Sequence, residues 1–186
     1  VQDSKGNGET FKKFTIKPGD LMVGDRAYGS PPSIAHVKEA GGDVLVRFAW
    51  NLLPLHLDED TPFDLLAHLR NIKGTRIGAW DASVKVNDRL YPGRVCAVRK
   101  SRQATAAAVK KLKRAAQKHG SETQPQTLET AAYMMVFTTL DHQQASPSAV
   151  LGIYRGRWQI ELVFKRLKSL MGFGHLRKTD PDSAKA

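Results

Sequence analysis

Five residues toward the carboxyl end of the chain have side chains able to act on a phosphate ester: Tyr154, Arg157, Glu161, Lys165 and Lys168. On a helical wheel of ~100° per residue with Tyr154 at zero, Arg157 falls near ~300°, Glu161 near ~340°, Lys168 near ~320° and Lys165 near ~20°. One face would then carry a phenol, a single carboxylate and three cations. Metal-dependent phosphoryl transfer needs such a set, because the acid holds a divalent ion while the cations grip flanking phosphates. The same spacing also suits a solvated face in which Glu161 pairs with Arg157 or Lys165 one turn away. Ile153, Ile160, Val163, Phe164, Leu167 and Leu170 fill the ~160–280° sector, which is expected to dock on a sheet. A metal site needs a second carboxylate, and Asp25 is the candidate. It follows the apolar run Leu21-Met22-Val23 and Gly24, and ligands of open α/β sheets gather at the carboxyl ends of strands. The alternative is a turn aspartate paired with Arg26.

The charge balance narrows the partner. The 186 residues include 29 Lys and Arg against 18 Asp and Glu, a net charge of +11. The excess is clustered. Arg94, Arg99, Lys100, Arg102, Lys110, Lys111, Lys113, Arg114 and Lys118 occur without any acid from Arg94 to His119, and Glu161 is the only acid between Arg155 and Lys178. Stripes of one sign favour a polyanion, since neutralising phosphates releases condensed counterions. A basic surface without a nucleic-acid role is the competing reading. Hydrophobic residues at 41% and charged residues at 25% describe a folded globule rather than a disordered chain. Apolar runs such as Met134-Met135-Val136-Phe137 fall far short of the ~20 residues of a membrane helix. A lone cysteine, Cys96, excludes an internal disulfide and any zinc site made of cysteine pairs. The expected setting is the cytoplasm, with no membrane partner.

The elements that must position these residues follow from pattern. Phe11 to Ile16 alternates as a strand, Leu21 to Val23 reads as a buried strand, and Pro31 opens a helix that Gly41-Gly42 stops. Asp43 to Phe48 is the next strand, so the order predicts a parallel βαβ unit. Thr61 is placed to cap a helix from Pro62 to Leu69. Thr75 to Val86 and Arg89 to Arg99 form a hairpin about Asn87-Asp88. Ala104 to His119 is helical, Ser121 to Thr127 is a polar connection, and Tyr133 to Leu140 is a strand. Ser146-Pro147 begins a last helix running to about Met171. Val1 to Gly8 is expected to fray. Residues 49–130 are expected to be an inserted β-plus-helix subdomain between 1–48 and 131–186.

The string Tyr154-x-x-Arg157-x-x-x-Glu161-x-x-x-x-x-x-Lys168 resembles the YREK signature of DDE transposases of bacterial insertion sequences, family-four type. Gly24-Asp25-Arg26-Ala27-Tyr28 is similar to the segment carrying that family's second catalytic aspartate. Val46-Arg47-Phe48-Ala49-Trp50 and Phe137-Thr138-Thr139-Leu140 are similar too. The resemblance implies an α/β RNase H-like fold, a mixed sheet with helices interrupted by an inserted β-rich subdomain. It also implies catalysis of DNA cleavage and strand transfer at insertion-sequence ends. Asp25 and Glu161 would be catalytic and would bind Mg²⁺ or Mn²⁺. Tyr154, Arg157, Lys165 and Lys168 would contact DNA phosphates, and a homodimer would hold the two transposon ends. The family's first aspartate has no match here, so the chain reads as cut at both ends and inactive alone. A non-catalytic DNA-binding remnant or repressor-like product is the alternative. Tyr133 stands near the place where some relatives carry a base-stacking tryptophan, but it reads first as a core-strand aromatic.

Overall fold

The structure is a computed structural model that describes residues 10–170, and within the last helix it describes only some of the side chains. It divides into two compact units, Val1–Tyr154 and Arg155–Ala186. The first holds a six-stranded mixed sheet with helices packed on it. The expectations for residues 1 to 8 and for the chain past Leu170 lie outside the described residues.

The strands β1 (Leu21–Gly24) and β2 (Asp43–Arg47) pair in parallel, Leu21 opposite Asp43 and Gly24 opposite Val46. Between them runs α1 (Pro31–Glu39), as a parallel pair requires a crossover. Pro31 pre-sets φ in the first turn, and Gly41, at φ +79°, reverses the chain after the last. Further along come β3 (Leu55–His56), α2 (Leu65–Arg70), β4 (Ile77–Val86), β5 (Arg89–Arg99), α3 (Arg102–Lys118), α4 (Pro125–Thr130), β6 (Tyr133–Thr138) and α5 (Pro147–Leu170). The sheet order is β1-β2-β6-β5-β4-β3, all pairs after the first being antiparallel. The β4–β5 hairpin turns at Asn87 (φ 48°) and Asp88 (φ 60°), the left-handed pair of a type I′ turn. The strands of 49–130 are therefore hydrogen-bonded into the same sheet as β1, β2 and β6.

Strand β2 is buried on both faces. Val44 and Val46 join Ile34 and Val37 of α1 in one cluster, while Leu45 joins Val150, Leu151 and Tyr154 of α5 in the other. This explains its unbroken apolar run, since a strand covered on both faces has no polar side to alternate with.

Four local expectations are corrected. Phe11–Lys13 is a turn of 3₁₀ helix, not a strand. Thr10 Oγ1 accepts from the Lys12 N–H, and the Phe11 N–H donates to Ser33 Oγ at 2.9 Å. The Phe11 ring stacks on Tyr28 with centroids 4.9 Å apart. The helix expected from Pro62 begins at Leu65, capped by Asp64 through the Ala67 N–H, because Pro62 is held in a bridge with His56. The expected polar connection of 121–127 runs into α4, which starts at Pro125 and is anchored by a Trp50 Nε1–Thr127 Oγ1 hydrogen bond of 3.0 Å and a two-pronged Arg70–Glu129 pair at 2.7 and 2.9 Å.

The fourth correction concerns Arg94, which is not part of a surface stripe: it is 1% exposed. Its Nε donates to Leu140 O at 2.9 Å, and Nη2 donates to Asp141 O at 2.9 Å and also to Ala145 O. Nη1 lies 3.2 Å from His142 Nδ1, whose Nε2 is 2.9 Å from Asp81 Oδ1. Since a guanidinium only donates, Nδ1 is the acceptor and Nε2–H donates to Asp81. Arg94 thus ties β5 to the loop that leads into α5. Arg94→Met should lower unfolding stability by about 2–4 kcal/mol, because buried carbonyls lose a charged donor. A urea midpoint within error of wild type would contradict this.

Candidate functional site

The mixed pairing sends the carboxyl ends of β1, β2 and β5 and the amino end of β6 to one edge of the sheet. Asp25 stands there, in the turn after β1. Its Oδ1 accepts the Ala27 N–H at 2.9 Å, and Tyr28 N–H donates to Asp25 O at 3.2 Å. This is an Asx-type turn, which short carboxylates favour. Gly24 is required immediately before it. A Cβ there would lie 2.7 Å from Tyr28 Cβ and 2.8 Å from the Phe11 ring. The aromatic pair therefore closes over bare backbone and sets where Asp25 begins.

A pocket of about 500 Å³ opens beside this turn. Asp25, Arg26 and Ala27 line it after β1, Arg47 at the end of β2, and Lys100 after β5. Helix α3 adds Lys111 with Ala108, Leu112 and Ala115. Four cations thus surround one carboxylate. Lys100 is half-buried, its Nζ donating to Ala131 O at 2.7 Å. Desolvation, then the neighbouring Arg47 and Arg26, lower its pKa to about 8. Arg26 is also held below its ordinary value, first by desolvation and then by Arg47, while Tyr154 and Asp25 pull the other way. Tyr154 and Asp25, two residues singled out from sequence, are therefore both within electrostatic reach of one guanidinium.

The first turns of α5 dock through Val150, Leu151 and Tyr154, which is 7% exposed, whereas Ile153 is 39% exposed. The docking face expected from the apolar sector is thus corrected at this end of the helix. The phenol's ring packs with Leu45, Cys96 and Val136, because a tyrosine can bury its body while its hydroxyl stays at an edge. Arg157 is half-buried on α5. The side chains of Glu161, Lys165 and Lys168 lie outside the described residues. Tyr133 is 5% exposed in the core, with the Arg99 guanidinium 5.6 Å from its ring centroid.

Sequence reasoning missed that Arg26, Arg47, Lys100 and Lys111 form one group. The available signal was a basic residue at or just after the end of three separate strands.

A carboxylate among surplus cations at the carboxyl ends of parallel strands suits a phosphate-ester ligand. The sequence comparisons agree. The family model described as "Transposase DDE domain" matches residues 1–186, so the chain belongs to that family. It is 30% identical over 192 residues to the putative transposase InsL of insertion sequence element IS186A from Escherichia coli (strain K12), covering 100% of this chain and 52% of that protein. The transposase for insertion sequence element IS421 of Escherichia coli is similar to the same extent, 30% over 192 residues. The chain spans about half the length of these curated relatives. No solved structure matches it. Among the described residues, no helix is long and apolar enough to cross a membrane.

A divalent cation of the Mg²⁺ kind prefers carboxylate oxygens, and Asp25 is the carboxylate at this strand end among the described residues lining the pocket. No group of three or more His, Cys, Asp or Glu able to hold a metal occurs among the described residues. The described part of the site thus fits one ligand of such an ion.

Lys100 has a consequence for stability. Its folded pKa, about 8 against an ordinary 10.5, means that the unfolded chain binds more protons between those values. Stability therefore rises with pH across that window. Raising pH from about 8 to about 10 should narrow the disadvantage of wild type relative to Lys100→Met, or widen its advantage. Melting temperatures whose difference is flat across this range would refute the buried-lysine assignment.

Proposed function

We propose that this chain is part of a DNA transposase that cleaves DNA at insertion-sequence ends and joins them to a target. The single observation carrying this reading is the position of Asp25 at the carboxyl end of β1, in a cation-rich pocket whose Arg26 is shared with Tyr154. Family membership over the whole chain supports it. In this reading the protein is of family-four type with the signature Tyr154, Arg157, Glu161 and Lys168. The fold is RNase H-like, formed by 1–48 and 131–186. Residues 49–130 are an insertion in chain order whose strands extend the core sheet.

Asp25 and Glu161 would hold Mg²⁺ or Mn²⁺. The bound ions would polarise the scissile phosphate and activate a water or 3′-hydroxyl for in-line attack. The chain's own residues do the rest. Asp25 is pre-oriented by the Ala27 N–H, which donates to its Oδ1. Tyr154, Arg157, Lys165 and Lys168 would bind phosphates flanking the reacting one, as cations placed where charge develops in the transition state. Glu161 is taken as the partner on the spacing of the signature from Tyr154 to Lys168. The partners are then transposon-end and target DNA in the cytoplasm, with a homodimer bridging two ends.

The test is Mg²⁺-dependent nicking of a plasmid bearing insertion-sequence ends, by a protein of the length of the curated relatives that contains this chain. Asp25→Asn and Glu161→Gln should each reduce nicking at least about a hundredfold, with DNA binding retained. Full activity in either variant would remove that residue from the mechanism. Metal-independent DNA binding with no nicking in any form would instead identify a non-catalytic binding protein.

A further inference from the structure

The residues assigned to DNA in the proposed reading all lie on α5, yet the pocket at the sheet edge gathers a separate set of cations. Arg26 follows β1, Arg47 ends β2, Lys100 follows β5 and Lys111 projects from α3. Four elements distant in sequence thus deliver like charge to one concavity. Such convergence of like charge is unfavourable, and Asp25, the only acid among the described residues lining the pocket, accepts the Ala27 N–H with Oδ1. Lys100 has three donors, of which Ala131 O takes one. Two guanidiniums present planar forks suited to phosphate oxygens, and the ammonium adds a point charge. The volume, about 500 Å³, admits a sugar-phosphate unit. The small wall residues Ala108 and Ala115 leave the backbone of α3 close by.

We propose that Arg26, Arg47, Lys100 and Lys111 form a seat for a non-reacting DNA backbone phosphate, separate from the cations of α5. This rests on the transposase reading for the identity of the polyanion. It adds a set of phosphate-binding cations to those named in the signature. It also gives α3 a role: with no buried residue of its own, the helix carries Lys111 to the pocket and extends the basic track through Lys110, Lys113 and Arg114.

The experiment is fluorescence anisotropy of a fluorescein-labelled duplex of about 20 base pairs, without metal and in EDTA, across about 50 to 200 mM salt. Lys100→Met and Lys111→Gln should each weaken binding about three- to tenfold and lower the slope of log affinity against log salt by about one. Lys73→Gln, an exposed residue away from the pocket, should leave both unchanged. Lys111 is exposed, so its variant keeps the test valid if Lys100→Met unfolds. Wild-type affinity should also fall between pH 7 and pH 9 as Lys100 discharges near pH 8. Asp25, Arg26, Arg47 and Lys111 line the same pocket, and Lys100→Met should lose most of that fall. Unchanged salt slopes in both variants, or an identical pH profile in Lys100→Met, would overturn the seat. Displacement of the duplex by low-millimolar inorganic phosphate, beyond the effect of ionic strength, would reassign the pocket to a small phosphate ester and overturn the DNA reading. Because metal is absent, this result is independent of the nicking assay: either proposal can fail while the other stands.

Discussion

The parallel pairing of β1 with β2 is the constraint on which the candidate site depends. It exists because β2 is apolar on both faces and can be covered on both, by α1 on one side and the start of α5 on the other. Burying Val44, Leu45 and Val46 completely contributes roughly 1.5–3 kcal/mol per side chain. That central burial makes β2 the strand around which β1 and β6 align. Once β1 and β2 run the same way, the residues that follow them, Asp25 and Arg26 on one and Arg47 on the other, must emerge at the same edge. The antiparallel pairs β2–β6 and β6–β5 then return Lys100 to that edge. The pocket is thus a consequence of strand direction, not of any local motif.

Electrostatics at this edge runs against the usual economy of a folded chain. Arg47 disfavours the charged form of Arg26, and Arg47 and Arg26 disfavour that of Lys100, in each case after desolvation; the fold tolerates this because other contacts hold the backbone in place. Lys100 donates from both its amide and its ammonium, to Ala132 O and Ala131 O. The Asp25 turn is clamped by the Phe11–Tyr28 stack over Gly24. A cluster held together against its own repulsion is a common property of sites whose ligand carries the opposite charge. The proposed DNA contacts draw on that surplus.

Arg94 shows the contrasting use of a cation. It belongs by sequence to the same acid-free stretch as Lys100 and Lys111, yet it is buried and satisfied by three carbonyls and a histidine. Its work is to fasten the loop of residues 139–146 to β5, and so to set where α5 starts. The helix bearing Glu161 is therefore launched from a charged anchor and then seated by the apolar contacts of Val150, Leu151 and Tyr154.

Local pattern alone determined much of this protein. The βαβ order, the Asn87-Asp88 hairpin, the Gly41 and Gly120 helix stops and the Pro147 start all arise from residues whose backbone preferences act within a few positions. Asp25 at a strand end and the spacing from Tyr154 to Lys168 were legible for the same reason. Tertiary structure decided the rest. Phe11 forms a plug rather than a strand because Ser33 and Tyr28 meet it, and α4 is ordered by Trp50 and Arg70 from far along the chain. Whether a basic residue is a surface cation, a buried anchor or part of a phosphate seat depends on neighbours brought together only when the sheet closes. Charge is written in the sequence, but its surroundings, which set desolvation and partners, exist only in the fold.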